Sequence, residues 1–232
     1  MSLIENLCVV IPAKNEEASI AEIIKGCQKY TDKIIVSDGN SKDKTRDIAA
    51  ELNAKVIVDP GKGKGSGIRT AAEHVEDNDI VVFIDADCSH DPEDIPRLIK
   101  PIQDGLADHV TGSRLLGGSS ELHGGFDEFM RLTGSSFITF CINHRFKNRI
   151  KIRLSDSQNG FRAIRGAVLK DLGLKENITT IEQEMIIKTL KKNYIMAEVP
   201  THEHKRKYGE SNIKMRKVFF RYIYSFVKYL YF

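Results

Sequence analysis

The chain has 232 residues, of which 41% are hydrophobic and 29% charged, and this balance excludes a disordered chain in favour of a globular one with a sizeable core. Its 35 Lys and Arg residues against 32 Asp and Glu residues give a formal charge of +3, too small to indicate a nucleic-acid-binding protein. The four cysteines show neither a CxxC pair nor disulfide-framework spacing, so we expect a reducing cytoplasm and no zinc site.

Short β-branched runs alternate with helical stretches up to about residue 112. In chain order these are NLCVVIP, EASIAEIIKGCQKY, KIIVSDG, KTRDIAAEL, AKVIVD, GIRTAAEHV and DIVVFID. Runs such as CVVI and IVVFI are apolar at every position, which is typical of parallel strands that helices cover on both faces. We therefore predict an α/β fold with a mostly parallel central sheet flanked by helices.

The second half of the chain has a different texture. LLGGSSELHGGFDE is Gly-rich and polar, and it predicts a loop longer than most connections, of the kind that covers binding sites. Helices are predicted around 126–146 and 180–192, and YIMAEVPTHEH reads as a further strand. We assign 1–212 to one domain and 213–232 to a separate C-terminal helix.

The predicted C-terminal helix is amphipathic and basic. One side carries apolar residues and another carries cations at intervals of seven: Phe219, Ile223, Phe226, Val227 and Leu230, against Lys214, Arg221 and Lys228. Such a helix lies in a membrane interface, or alternatively packs on the domain core or on a second subunit. No signal peptide and no membrane span is predicted, so we expect a cytoplasmic protein held peripherally at the cytoplasmic face of a membrane.

Two carboxylates, Asp85 and Asp87, follow the apolar run VVFI at the end of a predicted strand. In open α/β sheets, ligands bind beyond the carboxyl ends of the strands. Close carboxylates repel each other and suit a hard cation such as Mg²⁺ or Mn²⁺ together with a diphosphate, although they could instead cap the following helix, as Asp91 could. A second D-x-D, Asp77 and Asp79, precedes the same strand, so we expect it at the opposite edge without chemistry.

The stretch DPGKGKGSGIRTA follows the third predicted strand and opens a helix, a context in which Gly-rich loops hold phosphates. The alternating glycines fit neither G-x-G-x-x-G nor the P-loop pattern, which argues against a Rossmann dehydrogenase or a P-loop kinase. The alternative is a flexible basic turn.

Taken together, these motifs resemble those of the family 2 glycosyltransferases of the GT-A fold, and most closely the dolichyl-phosphate mannose and glucose synthases. The resemblance covers nearly the whole chain, through VVIPAKNEE, VSDGNSKDKT, GKGSGIRTA, FIDADCSHDPEDI, GSR, SDSQNGFRAIR, EQEMIIK, AEVP and RKYGESNI. It implies a nucleotide-sugar half, 1–112, and an acceptor half, 113–212.

The resemblance also implies residue roles. On the donor side, the positions that match are Pro12, Ala13, Asn15, Glu16, Asp38, Gly63, Gly65, Arg69, Asp85, Ala86, Asp87 and Gln158. Asp85 and Asp87 would bind Mg²⁺ or Mn²⁺ and act in catalysis with Arg114. On the acceptor side, the positions that match lipid-phosphate ligands are Arg114, Arg131, Ser135 and Arg206.

The implied reaction moves a hexose or N-acetylhexosamine, with inversion, from GDP-mannose, UDP-glucose or UDP-N-acetylglucosamine to dolichyl or another polyprenyl phosphate for glycan assembly such as protein N-glycosylation. A polyprenyl phosphate is already an anionic nucleophile and needs no general base, so positioning by arginines would be the main contribution of the protein. The alternatives are a soluble or glycan acceptor, a sugar nucleotidyltransferase, and a non-catalytic module at the membrane surface.

The chain departs from the family pattern at several positions. Lys14, Ser37 and Asn40 flank the expected nucleotide pocket, which leaves the base open between guanine and uracil. Ser89 stands where a glutamine often follows the D-x-D of mannosyl enzymes. His202 and His204 alternate on a predicted strand, and we interpret them as solvated residues rather than metal ligands.

Overall fold

A seven-stranded sheet forms the centre of the molecule, with strand order β3-β2-β1-β4-β6-β5-β7. The computed structural model describes residues 3–120, 126–147, 153–208 and 215–231, without the side chains of 126–132 and 215–219. The strands are β1 Leu7–Ala13, β2 Ile34–Asp38, β3 Lys55–Val58, β4 Ile80–Phe83, β5 His109–Ser113, β6 Arg162–Arg165 and β7 Met196–Pro200. The predicted α/β fold is confirmed.

Helices connect most of these strands and cover both faces of the sheet. Their bounds are α1 Ile20–Cys27, α2 Thr45–Glu51, α3 Lys64–Ala72, α4 Ile95–Gln103, α5 Arg114–Gly117, α6 Phe126–Arg145, α7 Gly166–Asp171, α8 Ile181–Lys191 and α9 Met215–Tyr231. A short 3₁₀ turn, Pro92–Asp94, precedes α4, and the Asp91 side chain accepts a hydrogen bond from the Glu93 N–H. None of the described helices has the length and apolarity needed to cross a bilayer.

Strand β6 is antiparallel to both of its neighbours, whereas every other pairing in the sheet is parallel. The chain therefore enters β6 at the edge where β4 and β5 end. This arrangement brings the residues before β6 to the same edge as the residues after the parallel strands. The sequence analysis did not identify β6, because RAIR is short and carries a charged residue at each end.

The core has one apolar cluster on each face of the sheet and a third cluster built mainly from α6, α8 and α9. Alternate residues of β1 divide between the two faces, with Val9 and Ile11 on one face and Cys8 and Val10 on the other. The third cluster joins α6, α8 and α9, and it includes Ile142, Leu190 and Leu230. Helix α9 is thus packed against the domain and not detached from it.

The surface of α9 only partly follows the predicted amphipathic pattern. Phe226 and Leu230 are buried, but Ile223 and Val227, which were predicted on the same side, remain 45% and 42% exposed. Tyr224 is also exposed. The apolar side of the helix is wider than the groove that receives it, so one part packs on the domain and another faces outward. Phe219 and Lys214, also named in the prediction, lie beyond the side chains that the structure describes.

Candidate active site

The predicted site residues gather at the carboxyl edge of the sheet. Asp38 is the last residue of β2, and Asp85 and Asp87 follow β4. Arg114 comes directly after β5, and Gln158 precedes the antiparallel β6. The topology therefore brings residues from distant parts of the chain to one edge, as expected for an open α/β sheet.

Each of the two D-x-D carboxylates is paired with a cation. Lys64 Nζ lies 2.6 Å from Asp85 Oδ1. Arg206 Nη2 lies 2.8 Å from Asp87 Oδ2, and the backbone N–H of Ser89 donates to Asp87 Oδ1 at 3.0 Å. The repulsion expected between the two acids is thus offset by cations from two other parts of the chain.

Lys64 bridges two acids in a largely buried position. Its ammonium group is also 2.9 Å from Glu182 Oε1, at the start of α8. Burial lowers the pKa of Lys64, but Asp85 and Glu182 outweigh that effect and raise it above its ordinary value. Burial alone would raise the pKa of Asp85, but the nearby Lys64 lowers it, and the pKa lies below its ordinary value. A Cβ at Gly160 would lie against Lys64 Nζ and 2.8 Å from Asp85 Oδ2, so a side chain there would have to displace this ion pair.

The glycine-rich segment 61–67, called the glycine loop below, leads into α3 and includes its first turn. It is tightly enclosed. Gly63 has a φ of 121°, a conformation that favours glycine, and a Cβ there would lie 2.7 Å from the carbonyl oxygen of Asn177. A Cβ at Gly65 would lie 2.6 Å from the carbonyl oxygen of Glu176. Arg69, which the sequence suggested as a donor ligand, instead donates to the carbonyl oxygen of Lys175 and to the Asn177 side chain. Its role in the structure is to hold this neighbouring loop.

Asp38 offers a buried, partly unsatisfied acceptor at the expected nucleotide pocket. Its side chain is fully buried, and Oδ2 accepts from the Ser41 N–H at 3.0 Å. Oδ1 has no hydrogen-bond partner within the described part of the protein. Such a group is rare in native structures, and a ligand donor would satisfy it.

The PAKNE segment lies beside Asp38. Pro12 and Ala13 end β1 in register with Ser37 and Asp38. Asn15 follows with a φ of 56°, and its Oδ1 accepts from the Lys42 N–H. These contacts tie the loop after β1 to the loop after β2.

Glu16 connects the nucleotide side of the site to Arg206. Glu16 Oε1 lies 3.3 Å from Arg206 Nη1, so this arginine bridges Glu16 and Asp87. Burial raises the pKa of Glu16, more than Arg206 lowers it. The resemblance suggested an acceptor role for Arg206, and in the structure its guanidinium group contacts the donor-side carboxylates.

Arg114 is fixed by acids on two sides. Its Nε and Nη2 donate to Asp156 at 2.6 and 3.0 Å, and its Nη1 lies 3.4 Å from Glu203. Burial lowers the pKa of Arg114, but the bonds to Asp156 and the nearby charges raise it overall. The two hydrogen bonds to Asp156 orient the guanidinium plane, and the group stays positively charged.

Three predicted site residues remain, Gln158, Ser135 and Arg131. Gln158 Nε2 is 3.4 Å from Gln183 Oε1, and Gln158 Oε1 is buried without a described partner. Ser135 lies on α6, where its carbonyl oxygen accepts from the Thr139 hydroxyl. The side chain of Arg131 is outside the described residues.

The segment after β7 lies across the D-x-D loop. The His204 N–H donates to the Ser89 carbonyl oxygen at 2.8 Å, and the Lys207 N–H donates to the Asp87 carbonyl oxygen at 3.3 Å. Glu203, in the same segment, forms an isolated antiparallel β-bridge with His90 through its backbone, and its side chain pairs with Arg114. Arg114 and Arg206 are therefore both linked to the loop that carries the two aspartates.

Comparison with known families identifies the chain. The family model described as glycosyl transferase family 2 matches residues 8–173, which is well over half of the sequence. The chain belongs to this family.

Several curated proteins are similar over most of the chain. The low-salt glycan biosynthesis hexosyltransferase Agl6 of Haloferax volcanii is 31% identical over 90% of this chain, which spans only 50% of that relative. Dolichyl-phosphate hexose transferase of the same organism is 30% identical, with 90% and 87% of the two chains covered. A UDP-N-acetylglucosamine–dolichyl-phosphate N-acetylglucosaminyltransferase of Methanococcus voltae is 31% identical, with 83% of each covered.

A solved structure agrees with the fold. Glucosyl-3-phosphoglycerate synthase from Mycobacterium tuberculosis, in complex with Mn²⁺, UDP and glucosyl-3-phosphoglycerate, superposes with a TM-score of 0.73. The sequences are 20% identical, and the match covers 97% of this chain and 80% of that one. This similarity confirms the GT-A fold expected for a family 2 glycosyltransferase.

The residue types at the D-x-D loop fit a divalent metal ion. Carboxylate oxygens are the ligands that Mg²⁺ and Mn²⁺ prefer, and Asp85 and Asp87 provide them on one loop. Within the described ranges, no group of three or more His, Cys, Asp or Glu side chains is arranged to hold a metal ion. Mg²⁺ usually takes one or two carboxylates and fills its other positions with water and substrate phosphates, which this loop allows.

Several residues of this candidate site were not assigned roles from the sequence. They are Lys64, Glu182, Asp156 and Glu203. The motifs GKGSG, EQEM and SDSQ were recognised, but a motif does not indicate which of its residues meets which partner. Lys64 and Glu182 are 118 positions apart, so only the fold brings them together.

The departures from the family pattern have local explanations. The Ser37 hydroxyl donates to the carbonyl oxygen of Gly67 at 3.0 Å, so this small side chain joins β2 to α3. Asn40 Nδ2 donates to the carbonyl oxygen of Asp59. His202 Nε2 lies 2.7 Å from the Ser120 hydroxyl, and the His202 and His204 rings are 4.6 Å apart. His202 is therefore engaged with a neighbouring loop.

Proposed function

We propose that this glycosyltransferase moves one hexose or N-acetylhexosamine from a nucleotide sugar to dolichyl or another polyprenyl phosphate. The observation that carries the proposal is the meeting of acids and arginines at one sheet edge. Asp85 and Asp87 suit a metal-bound donor diphosphate, while Arg114 and Arg206, both linked to the D-x-D loop, suit an acceptor phosphate. The two relatives whose names include dolichyl phosphate support this acceptor, and because they differ in sugar they leave the donor open.

On the donor side, the residues of the chain bind and orient the nucleotide sugar. Asp38 would take a donor group of the nucleoside on its unsatisfied Oδ1. A divalent metal ion, when bound at Asp85 and Asp87, would offset the negative charge that develops on the leaving diphosphate. Lys64 would add a fixed positive charge beside it, since two acids hold the ammonium group in place.

On the acceptor side, the protein would position an anion that is already a nucleophile. An oxygen of the acceptor phosphate forms a bond to the anomeric carbon while the bond from that carbon to the nucleoside diphosphate breaks, with inversion. No proton has to be removed, so no general base is required. Arg114, whose orientation Asp156 fixes, would align the phosphate for this attack.

The proposed acceptor also requires a route to the membrane. Helices α6 and α9 pack together in the third apolar cluster, and both still expose large apolar side chains. Phe137 and Phe140 of α6 are 63% and 55% exposed, and Phe220 and Tyr224 of α9 are 79% and 67% exposed. Aromatic residues with nearby cations such as Arg221 favour an interface with anionic lipid, so we propose that this aromatic surface contacts the membrane.

A donor and acceptor screen tests the proposal. The purified protein is incubated with radiolabelled GDP-mannose, UDP-glucose or UDP-N-acetylglucosamine, Mn²⁺ or Mg²⁺, and dolichyl phosphate in phosphatidylglycerol-containing vesicles. We expect one donor to give label that extracts into organic solvent, with loss of the product when EDTA is added. Dolichol without its phosphate is the matched control and should give no product.

Other outcomes would contradict the proposal in distinguishable ways. Label transferred only to a water-soluble acceptor would move the assignment to a soluble or glycan acceptor. Release of pyrophosphate from a nucleoside triphosphate and a sugar phosphate would indicate a sugar nucleotidyltransferase.

A further inference from the structure

One loop of the protein touches both the glycine loop and the C-terminal helix. This bracing loop, residues 175–180, lies between α7 and α8. Its carbonyl oxygens at Glu176 and Asn177 lie so close to Gly65 and Gly63 that a Cβ on either glycine would clash. The Ser66 N–H, in the first turn of α3, also donates to the Asn177 carbonyl oxygen at 3.0 Å. The bracing loop therefore forms one wall of the glycine loop.

On its other side, the bracing loop is bonded to α9 by two tyrosines. The hydroxyl of Tyr222 donates to Thr179 Oγ1, and Gln183, at the start of α8, donates to the Tyr222 carbonyl oxygen at 3.1 Å. The hydroxyl of Tyr229 donates to Glu176 Oε1 at 3.0 Å. Tyr229 is only 6% exposed, so water does not readily replace this bond.

The position of α9 is set independently of these hydrogen bonds. Phe226 and Leu230 are buried in the third apolar cluster beside residues of α6 and α8. Packing of this kind holds a helix in one place. A helix fixed in this way can limit the movement of the loop to which its tyrosines are bonded.

We propose that Tyr222 and Tyr229 are positioning residues of the donor site, through which the C-terminal helix holds the bracing loop against the glycine loop. The inference rests on the proposed function, in which Lys64, directly after Gly63, places a fixed positive charge beside the donor diphosphate. Neither tyrosine is proposed to touch the donor. Helix α9 thus has a second task besides its proposed contact with the membrane, and this task does not need lipid.

The physical reason lies in the geometry of the glycine loop. Gly63 has a positive φ, and Lys64 follows it directly as the first residue of α3. A small shift of the bracing loop would release the glycines from their backbone contacts and allow Lys64 to move away from Asp85. Loss of preorganisation at a binding site lowers affinity even when every ligand-contacting group is retained.

Nucleotide binding to hydroxyl-deletion variants tests the inference without lipid or acceptor. Binding of GDP and of UDP in the presence of Mn²⁺ is measured by titration calorimetry for the wild type, Tyr222→Phe and Tyr229→Phe. Each variant loses one hydrogen bond between α9 and the bracing loop while keeping its ring, and Tyr229→Phe also loses the bond that Lys228 Nζ donates to the hydroxyl within α9. We expect the nucleotide to bind about three- to tenfold more weakly to each, as loss of one hydrogen bond would give.

Tyr224→Phe is the matched control, because it makes the same change on the same helix at a position that is 67% exposed. It should bind nucleotide like the wild type. Thr179→Val removes the other partner of Tyr222, so the double variant with Tyr222→Phe should bind no more weakly than either single variant. Binding is measured well below the thermal midpoint of every variant, which separates altered binding from unfolding.

Amide hydrogen exchange gives a second measurement that a purely structural role in α9 would not change. We expect faster exchange in residues 61–69 of Tyr222→Phe and Tyr229→Phe than in Tyr224→Phe. Wild-type nucleotide affinity in both deletion variants would overturn the inference and leave the proposed function intact. A wild-type protein that binds neither GDP nor UDP with Mn²⁺ would instead overturn the proposed function and this inference with it.

Discussion

The two ends of β4 carry the same motif with different surroundings. At the amino end, DND places Asp77 and Asp79 before the strand, and at the carboxyl end, DAD places Asp85 and Asp87 after it. Asp79 accepts from the Glu76 N–H at 2.7 Å and pairs with Lys33, so its bonds close a local turn. The carboxyl-end acids instead meet cations from α3 and from the segment after β7.

The difference shows that position in the sheet, and not the motif, decides what two aspartates do. At the amino edge, Asp77 pairs with Lys170 on the surface, where its side chain is 74% exposed. At the carboxyl edge, loops from several strands converge, so charged groups that are distant in sequence become neighbours. The prediction that Asp77 and Asp79 lie at the opposite edge of the sheet from Asp85 and Asp87 is confirmed by the bounds of β4.

The largest expected difference between the two edges is the loss of stability when a lysine is removed from each. Lys64→Met should leave Asp85 and Glu182 without their shared cation, and breaking a buried pair of this kind costs about 3 kcal/mol or more in the free energy of unfolding. The variant should also lose transferase activity. Lys170→Met is the matched control, and it should change the free energy of unfolding by less than about 1 kcal/mol. Denaturant unfolding of both variants measures the difference, and equal destabilisation would contradict it.

The next largest effect concerns activity. Asp87→Ala should lower the transferase rate about 100- to 1000-fold, because it removes both a proposed metal ligand and one of the two acid partners of Arg206. Asp77→Ala makes the same substitution at the other end of the strand and should keep near wild-type activity. Initial rates with saturating donor check this prediction, and comparable losses in the two variants would refute the distinction between the edges.

A smaller effect is expected on stability at the amino edge. Asp79→Ala should lower the free energy of unfolding by about 1 to 3 kcal/mol, since it leaves the Glu76 N–H unpaired and removes the nearer of the two acid partners of Lys33. The rate per folded molecule should stay close to that of the wild type. A variant that folds normally but turns over slowly would show that the amino edge also contributes to chemistry.

The smallest effect is a pH dependence of stability. His109, at the start of β5, is fully buried, and burial together with the nearby Arg162 holds its pKa well below the ordinary value. Folded His109 stays neutral while the unfolded chain takes up a proton below about pH 6.5. The contribution of neutral His109 to the free energy of unfolding should therefore be fully present above that pH. It should fall as the pH drops, by at most about 1.4 kcal/mol per pH unit for one proton.

His109→Gln should reduce this slope between pH 7 and pH 5, as measured by denaturant unfolding. His74→Gln, at an exposed position, is the control. An unchanged slope in His109→Gln would contradict the prediction.

Much of the fold could be predicted because its signals are local. Continuous apolar runs such as IVVFI predict buried parallel strands, and five of the seven strands of the sheet follow from such runs or from the YIMAEVPTHEH segment, whereas β5 and β6 were not predicted. Strand β6 was missed because RAIR places the fully buried Arg162 where an apolar residue is expected. That side chain donates to the carbonyl oxygens of Glu182 and Asn159, contacts that no local pattern indicates.

The candidate site could be predicted in its residue types but not in its pairings. Asp85 and Asp87 were identified from the end of a strand, yet their partners Lys64 and Arg206 come from elsewhere in the chain. The pairing of Arg114 with Asp156 crosses 42 positions. Such contacts depend on how helices and loops pack around the sheet, which single-sequence patterns do not specify.

The aromatic surface shared by α6 and α9 has a consequence for the behaviour of the purified protein. Phe137, Phe140, Phe220 and Tyr224 are exposed to water when no lipid is present. Exposed apolar surface promotes association between copies. Without detergent or vesicles, the protein should form oligomers as its concentration rises, and light scattering should show their dispersal when lipid is added.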